Sequence, residues 1–206
     1  PLWSRGLGDV YKRQGLARKG FKVLVVDLDV QANLTHHLVG DMDHEAKNLS
    51  DVMLHEDSLN KIMIETSTKG LFLAPAGESM IELDINLTSM MGREHVLKHC
   101  IERTEGIETF DFILCDNPPY VSLAMVNSLV ASNYYIVPVS CEYLPMVGLK
   151  HLQSTIGKVK KLNPSLRMLG VALTMYDKRE GITKGVEELI REELNDFVFN
   201  TVIRTN

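Results

Sequence analysis

The sequence predicts an α/β fold: a mainly parallel, doubly wound sheet with helices on both faces. Three observations carry that expectation. Five apolar runs of strand length recur along the 206 residues. They are continuous rather than alternating, the pattern of strands covered on both sides. Stretches of helical period separate them, and strict alternation of strand and helix implies right-handed crossovers into a parallel sheet.

In order, the runs are FKVLVVDLD (21–29), GLFLAP (70–75), FDFILCD (110–116), YYIVPVS (134–140) and LRMLGVALTMY (166–176). The clearest helix places Leu149, Leu152, Ile156 and Val159 at steps of three and four, and Asn163-Pro164 stops it. Another sets Val186, Leu189, Ile190 and Leu194 on one side and leads into FVFNTVIR. Residues 41–69 are more polar and are expected to form short helices with loops. The ten methionines fall mostly in apolar segments and read as gap-filling core.

Composition narrows the function classes. With 206 residues and 45% hydrophobic content, the chain can bury one continuous core. A formal charge of −5 argues against coating nucleic acid by bulk electrostatics and leaves room only for a local basic face. Lys158, Lys160 and Lys161 at a helix end, and Lys178, Arg179 and Lys184 around a loop, are the candidates. The first group reads more simply as complementing the helix dipole. Cys100, Cys115 and Cys141 are odd in number and share no metal-ligand spacing, which suggests a reducing compartment. No run approaches the roughly 18 apolar residues of a membrane span, and no signal-peptide core opens the chain. A cytoplasmic location is expected.

On such sheets ligands bind beyond the carboxyl ends of the strands. The first run ends in VVDLDVQANLT, delivering Asp27 and Asp29 with Gln31, Asn33 and Thr35 close behind, and the third ends in Asp116 followed by Asn117-Pro118-Pro119. Carboxylates aimed at the mouth of a sheet can hold the water shell of Mg²⁺, an ion that takes few direct protein ligands. Aspartates after strands also begin turns, but two such ends, each after a buried run, point to a metal-phosphate site. His95 and His99 lie four apart with Cys100 adjacent; with no third ligand suggested, they read as an exposed helical face. A response-regulator receiver domain is an alternative in which Asp116 accepts a phosphoryl group. Against it, receivers carry adjacent acids instead of DLD and a late lysine where this chain has Thr174-Met175-Tyr176.

VVDLDVQANLT, FDFILCDNPP, VPVSCEYLPMVGL and LGVALTMYDKR, in that order and at these intervals, resemble the ParA/Soj family of chromosome and plasmid partition ATPases over about residues 15–206. The resemblance implies a SIMIBI-type P-loop NTPase fold, ATP and Mg²⁺ as cofactors, and an ATP-dependent homodimer that binds DNA non-specifically. It also implies a ParB-like partner that stimulates hydrolysis, a nucleoid-associated location and no membrane contact. Carried over by the same resemblance, Asp27 and Asp116 hold the metal, Asp27 near its water shell and Asp116 as the Walker B carboxylate. Asp29 orients the attacking water. Gln31 and Pro118 fall at cofactor-binding positions, and Met175, Arg204 and Asn206 match positions that line the adenine pocket. The family usually has Pro at Val30 and commonly Gly at Ala32. A MinD-like division-site ATPase is the nearer alternative; VPVSCEYLPMVGL and LTMYDKR look more like ParA, and a MinD protein would end in an amphipathic membrane helix.

The family's deviant phosphate loop reads KGGVGKT. Counting back from Gly15 sets its lysine near Arg5, in WSRGLG, which has neither the glycine pattern nor a GKT to cradle phosphates. PLWSRGLGDVYKRQ also makes a poor buried strand. Residues 1–14 are therefore expected to be a non-native leader. Residues 15–206 are expected to be a ParA-like ATPase domain truncated at both ends, without the first strand and P-loop, and so inactive in ATP hydrolysis.

Overall fold

The structure is a computed structural model that describes residues 15–43, 45–141, 146–177, 179 and 181–205. The expected leader, residues 1–14, lies outside the described residues. The chain divides into two compact units, whose described parts are 15–131 and 132–205.

The first unit is built on β1 (Val23–Asp27), with α1 (Asn33–Val39), α2 (Leu49–Leu54), β2 (Ile64–Glu65), β3 (Leu71–Ala74), α3 (Met80–Thr88), α4 (Val96–Glu102), β4 (Phe112–Asp116) and α5 (Leu123–Ala131) following in order. Its sheet runs β2-β3-β1-β4, with β1 parallel to both β3 and β4. All five residues of β1 are fully inaccessible, as a continuous apolar run between two covered faces requires. Alternate residues feed two separate cores. Leu24 and Val26 pack with Met53, Leu83, Leu97 and Ala124 from α2 to α5. Val23 and Val25 pack on the opposite face with Leu34 of α1 and Ala17. Helices therefore cover both faces, which is the double winding that the alternation predicts.

Residues 41–69 do form short helices with loops, and they also contain a strand that their polarity hides. β2 is only two residues long and pairs antiparallel with β3. Helix α2 starts at a reciprocal cap: the Ser50 N–H donates to Asn48 Oδ1 at 3.0 Å, and the Asn48 N–H donates to Asp51 Oδ2 at 2.9 Å.

In the second unit, β5 (Tyr134–Ser140) and β6 (Arg167–Thr174) pair in parallel, joined through α6 (Met146–Val159) and followed by α7 (Gly181–Leu194). Val137, Val139, Val171 and Leu173 form its core with Val186 and Ile190 of α7. The segment after α7 runs beside β6, its Phe199 N–H donating to the Val171 carbonyl and its Ile203 N–H to the Leu173 carbonyl. Gly170 makes that approach possible, because a Cβ there would meet the Phe199 ring at 2.6 Å. β5 departs from the expectation of a strand covered on both faces: Tyr134, Ile136 and Pro138 are exposed while Val137 and Val139 are buried. Its apolar side chains are continuous in sequence, but only alternate ones reach the core.

Candidate functional site

Asp27 closes β1 and Asp116 closes β4, and the parallel register sets the two directly opposite each other. Register partners on adjacent parallel strands share a face, with the strands roughly 4.8 Å apart. The pairing continues one step further, since the Leu28 N–H donates to the Asp116 carbonyl at 2.8 Å.

Asp27 is completely buried. Its Oδ2 accepts from the Thr35 N–H at 3.0 Å and from the Thr35 hydroxyl at 2.7 Å, and its Oδ1 accepts from the Asp29 N–H at 3.2 Å. Burial raises its carboxyl to about 6, with the bonds from Thr35 opposing and the charge of Asp116 adding to the rise. Two carboxylates at adjacent strand ends, one of them dry, form a pair whose charges repel.

Thr35 holds more than Asp27. Its hydroxyl oxygen also accepts from the Ala76 N–H at 3.0 Å, so one side chain ties the end of β1 to the chain leaving β3. Asp29 is buried as well, and its Oδ1 accepts from the Gln31 N–H at 3.1 Å in a local turn. The Ala32 N–H closes that turn onto the Asp29 carbonyl at 2.9 Å. Ala32 then caps α1 with φ of +48°, a left-handed conformation that costs a side chain about 1–2 kcal/mol. This is the physical reason glycine suits the position.

Gln31 is exposed, and its link to Asp29 runs through its backbone. Pro118 is buried and lines a cleft of about 50 Å³ together with Leu28, Val30, Asp84 and Tyr120. The Tyr120 phenol is pushed up by burial and then by the charges of Asp84 and Asp29. The loops after β1 and β4 therefore meet on one side of this unit.

The second unit gathers a different set. Met175 follows β6 in the left-handed region at φ of +51°, the Tyr176 N–H donates to the Ile203 carbonyl at 3.0 Å, and Tyr176 bridges Arg204. A cleft of about 420 Å³ opens there, lined by Tyr176, Glu187, Asn200, Thr201, Val202 and Arg204. The Tyr176 hydroxyl donates to Glu187, which also takes the Arg191 guanidinium at 2.8 Å. Asn206 lies outside the described residues.

Sequence reasoning passed over two participants. Thr35 stood only as a polar neighbour of Asp27, although its spacing of eight residues brings it back over the strand end on the first turn of α1. Asp84 gave no motif. The one available hint is an acid between Leu83 and Leu87, both fully buried. The histidine pair does not stand on an open face: His95 and His99 are half-buried and stack at 6.3 Å, and His99 Nδ1 lies 3.1 Å from Glu56. The adjacent Cys100 is fully buried, and burial pushes its thiol up to about 12. Among the described residues no group of three or more His, Cys, Asp or Glu is placed to hold a metal ion. Of the basic candidates, Lys158, Lys160, Lys161 and Lys184 are exposed, Arg179 pairs with Asp177 at 2.7 Å, and Lys178 lies outside the described residues. Among the described residues no helix is long and apolar enough to cross a membrane.

The AAA_31 family model, described as an AAA domain, matches residues 12–168. The chromosome partitioning protein ParA of Caulobacter vibrioides is 31% identical over 192 residues, covering 93% of this chain and 72% of that protein. The sporulation initiation inhibitor protein Soj of Bacillus subtilis is 33% identical over 93% of this chain and 75% of that protein. Among solved structures, cobyrinic acid a,c-diamide synthase from Mycobacterium smegmatis with bound ADP and magnesium has a TM-score of 0.86 at 29% identity, covering 98% of this chain and 82% of that one. With a parallel sheet, paired strand-end aspartates and these relatives together, the chain belongs to the ParA/Soj family of partitioning ATPases.

Proposed function

We propose that the protein is a ParA-type ATPase of chromosome or plasmid partitioning, in which Mg-ATP hydrolysis switches homodimerisation and non-specific DNA binding under the control of a ParB-like partner in the cytoplasm. The observation that carries this reading is the buried Asp27 set opposite Asp116 in register. Asp27 and Asp116 are suited to hold Mg²⁺, which when bound with ATP supplies charge neutralisation at the phosphates. The residues present fit that role, because a cation relieves the repulsion that helps to raise the Asp27 carboxyl. Asp29 takes the role of orienting a water by accepting its hydrogen bond, a reading supported by the turn that fixes it to Gln31. The cleft beside Met175 and Arg204 is the proposed adenine seat, supported by its size of about 420 Å³ and by the carry-over of both residues from the family.

Residues 1–206 contain no GKT tripeptide. We infer that residues 1–14 are a non-native leader and that this polypeptide does not turn over ATP by itself, since the backbone cradle and lysine of a P-loop are what grip the β and γ phosphates. The test compares the 206-residue chain with a chimera in which an apolar strand followed by the family's KGGVGKT loop replaces residues 1–14. Mg-dependent ATPase activity is expected only in the chimera, and Asp116→Ala should abolish it. Micromolar Mg-dependent ATP binding by the unaltered chain, or an Asp116→Ala chimera that retains full activity, would contradict the reading.

A further inference from the structure

Asp84 lies in the middle of α3 and reaches across to the first turn of α5. The Leu123 N–H donates to its Oδ2 at 3.1 Å and the Ala124 N–H donates to its Oδ1 at 3.0 Å. The opening N–H groups of a helix have no partner within it, and a carboxylate answers two of them while complementing the helix dipole. Ser122 supplies the local cap, its Oγ accepting from the Met125 N–H at 3.0 Å.

Helix α5 is held further along as well. Asn127 is fully buried; its Oδ1 accepts from the Leu97 N–H at 3.0 Å and its amide donates to the Arg93 carbonyl at 2.7 Å. The Ser128 hydroxyl donates to Asn117 Oδ1 at 2.5 Å, which fastens the residue next to Asp116 onto the same helix. The segment from Asn117 to Val121 thus hangs between the end of β4 and a helix whose first turn is gripped by Asp84. The helix that bears Asp84 follows the segment containing Ala76, whose N–H is bound by Thr35, the clamp on Asp27. Asp84, Leu28, Pro118 and Tyr120 line one cleft, so the grip is local to the place where the two aspartate-bearing loops meet.

We propose that Asp84 is a positioning residue for the Asp27 and Asp116 pair: it fixes the start of α5 and, through it, the loop that continues from Asp116. The inference rests on the reading of that pair as metal-holding. A cap that merely stabilises α5 would change the melting temperature alone. A positioning residue also changes how well the pair takes a cation at temperatures far below melting.

The test uses the full chain and Mn²⁺ as the probe, titrated to millimolar concentration with free Mn²⁺ read by electron paramagnetic resonance. Wild type is expected to bind one ion that Asp116→Asn removes. Asp84→Ala is expected to weaken it by about tenfold, the loss typical when a group supporting a metal ligand is removed. Asp84→Asn, which keeps one acceptor, is expected to fall between the two. Leu123→Pro deletes one of the gripped N–H groups at a helix position that tolerates proline, and is expected to weaken binding without altering Asp84 itself. Linkage supplies a measurement that needs no variant: saturating Mn²⁺ must slow hydrogen exchange at Leu123 and Ala124 in wild type if the grip and the site are coupled. If wild type binds Mn²⁺ while Asp84→Ala binds within twofold of it, or if those two amides ignore the ion, the positioning role is overturned and the metal reading stands. If wild type takes up no ion at all, both fall.

Discussion

Replacing Asp27 by asparagine should make the apo protein more stable near neutral pH, although it removes the acid at the centre of the site. The Asp27 carboxyl is raised from 3.8 to about 6, chiefly by burial. Between those values the folded state holds a proton that the unfolded state has released, so stability falls as pH rises from about 4 through about 6. Above that window the buried charge costs about 3 kcal/mol, at about 1.4 kcal/mol per pH unit of displacement. The carboxamide of the variant can still accept from Thr35, but its nitrogen meets the Asp29 N–H, which returns about 1 kcal/mol of the gain. The net expectation is that Asp27→Asn is about 2 kcal/mol more stable than wild type at about pH 7.5 and that this advantage disappears at about pH 4.5. Urea unfolding of both proteins at the two pH values measures it, and the difference between them cancels every other titrating group. Parallel stability profiles would refute the claim that Asp27 is ionised against its environment.

Thr35→Val removes the hydroxyl and leaves the Ala76 N–H buried without an acceptor, a loss of about 1–3 kcal/mol by urea unfolding. Because the Thr35 bonds favour the charged form, the same variant should move the Asp27 carboxyl above about 6 when titrated by carbon-13 NMR. Ala32→Gly relieves a left-handed residue and should stabilise the protein by about 1 kcal/mol once the extra freedom of glycine in the unfolded chain is counted; destabilisation would show that φ at this position is not strained.

The fold was readable at β1, where continuous apolar residues mean two covered faces; at β4 the same kind of run leaves Phe112 exposed and the rest only half-buried. VLVVD is buried throughout and divides its side chains between two cores. The rule misleads at YYIVPVS, where the residues are as apolar as those of β1 but every second one faces outward. Sequence carries hydrophobicity, and it does not carry the number of layers packed on a strand. β2 escaped because two residues are too few to show any period. At the site, Asp27, Asp29 and Asp116 were visible since each follows an apolar run directly. Asp84 was not, because its role depends on α3 lying across the first turn of α5, a contact between residues 39 and 40 positions apart.

If Asp27 and Asp116 take one divalent cation between them, paramagnetic broadening will report both carboxyls at once. In a protein labelled with carbon-13 at the aspartate carboxyls, substoichiometric Mn²⁺ should broaden the Asp27 and Asp116 signals together and ahead of exposed acids such as Asp41 and Asp196. Broadening that begins at those surface acids, or that reaches Asp116 and spares Asp27, would contradict the shared site.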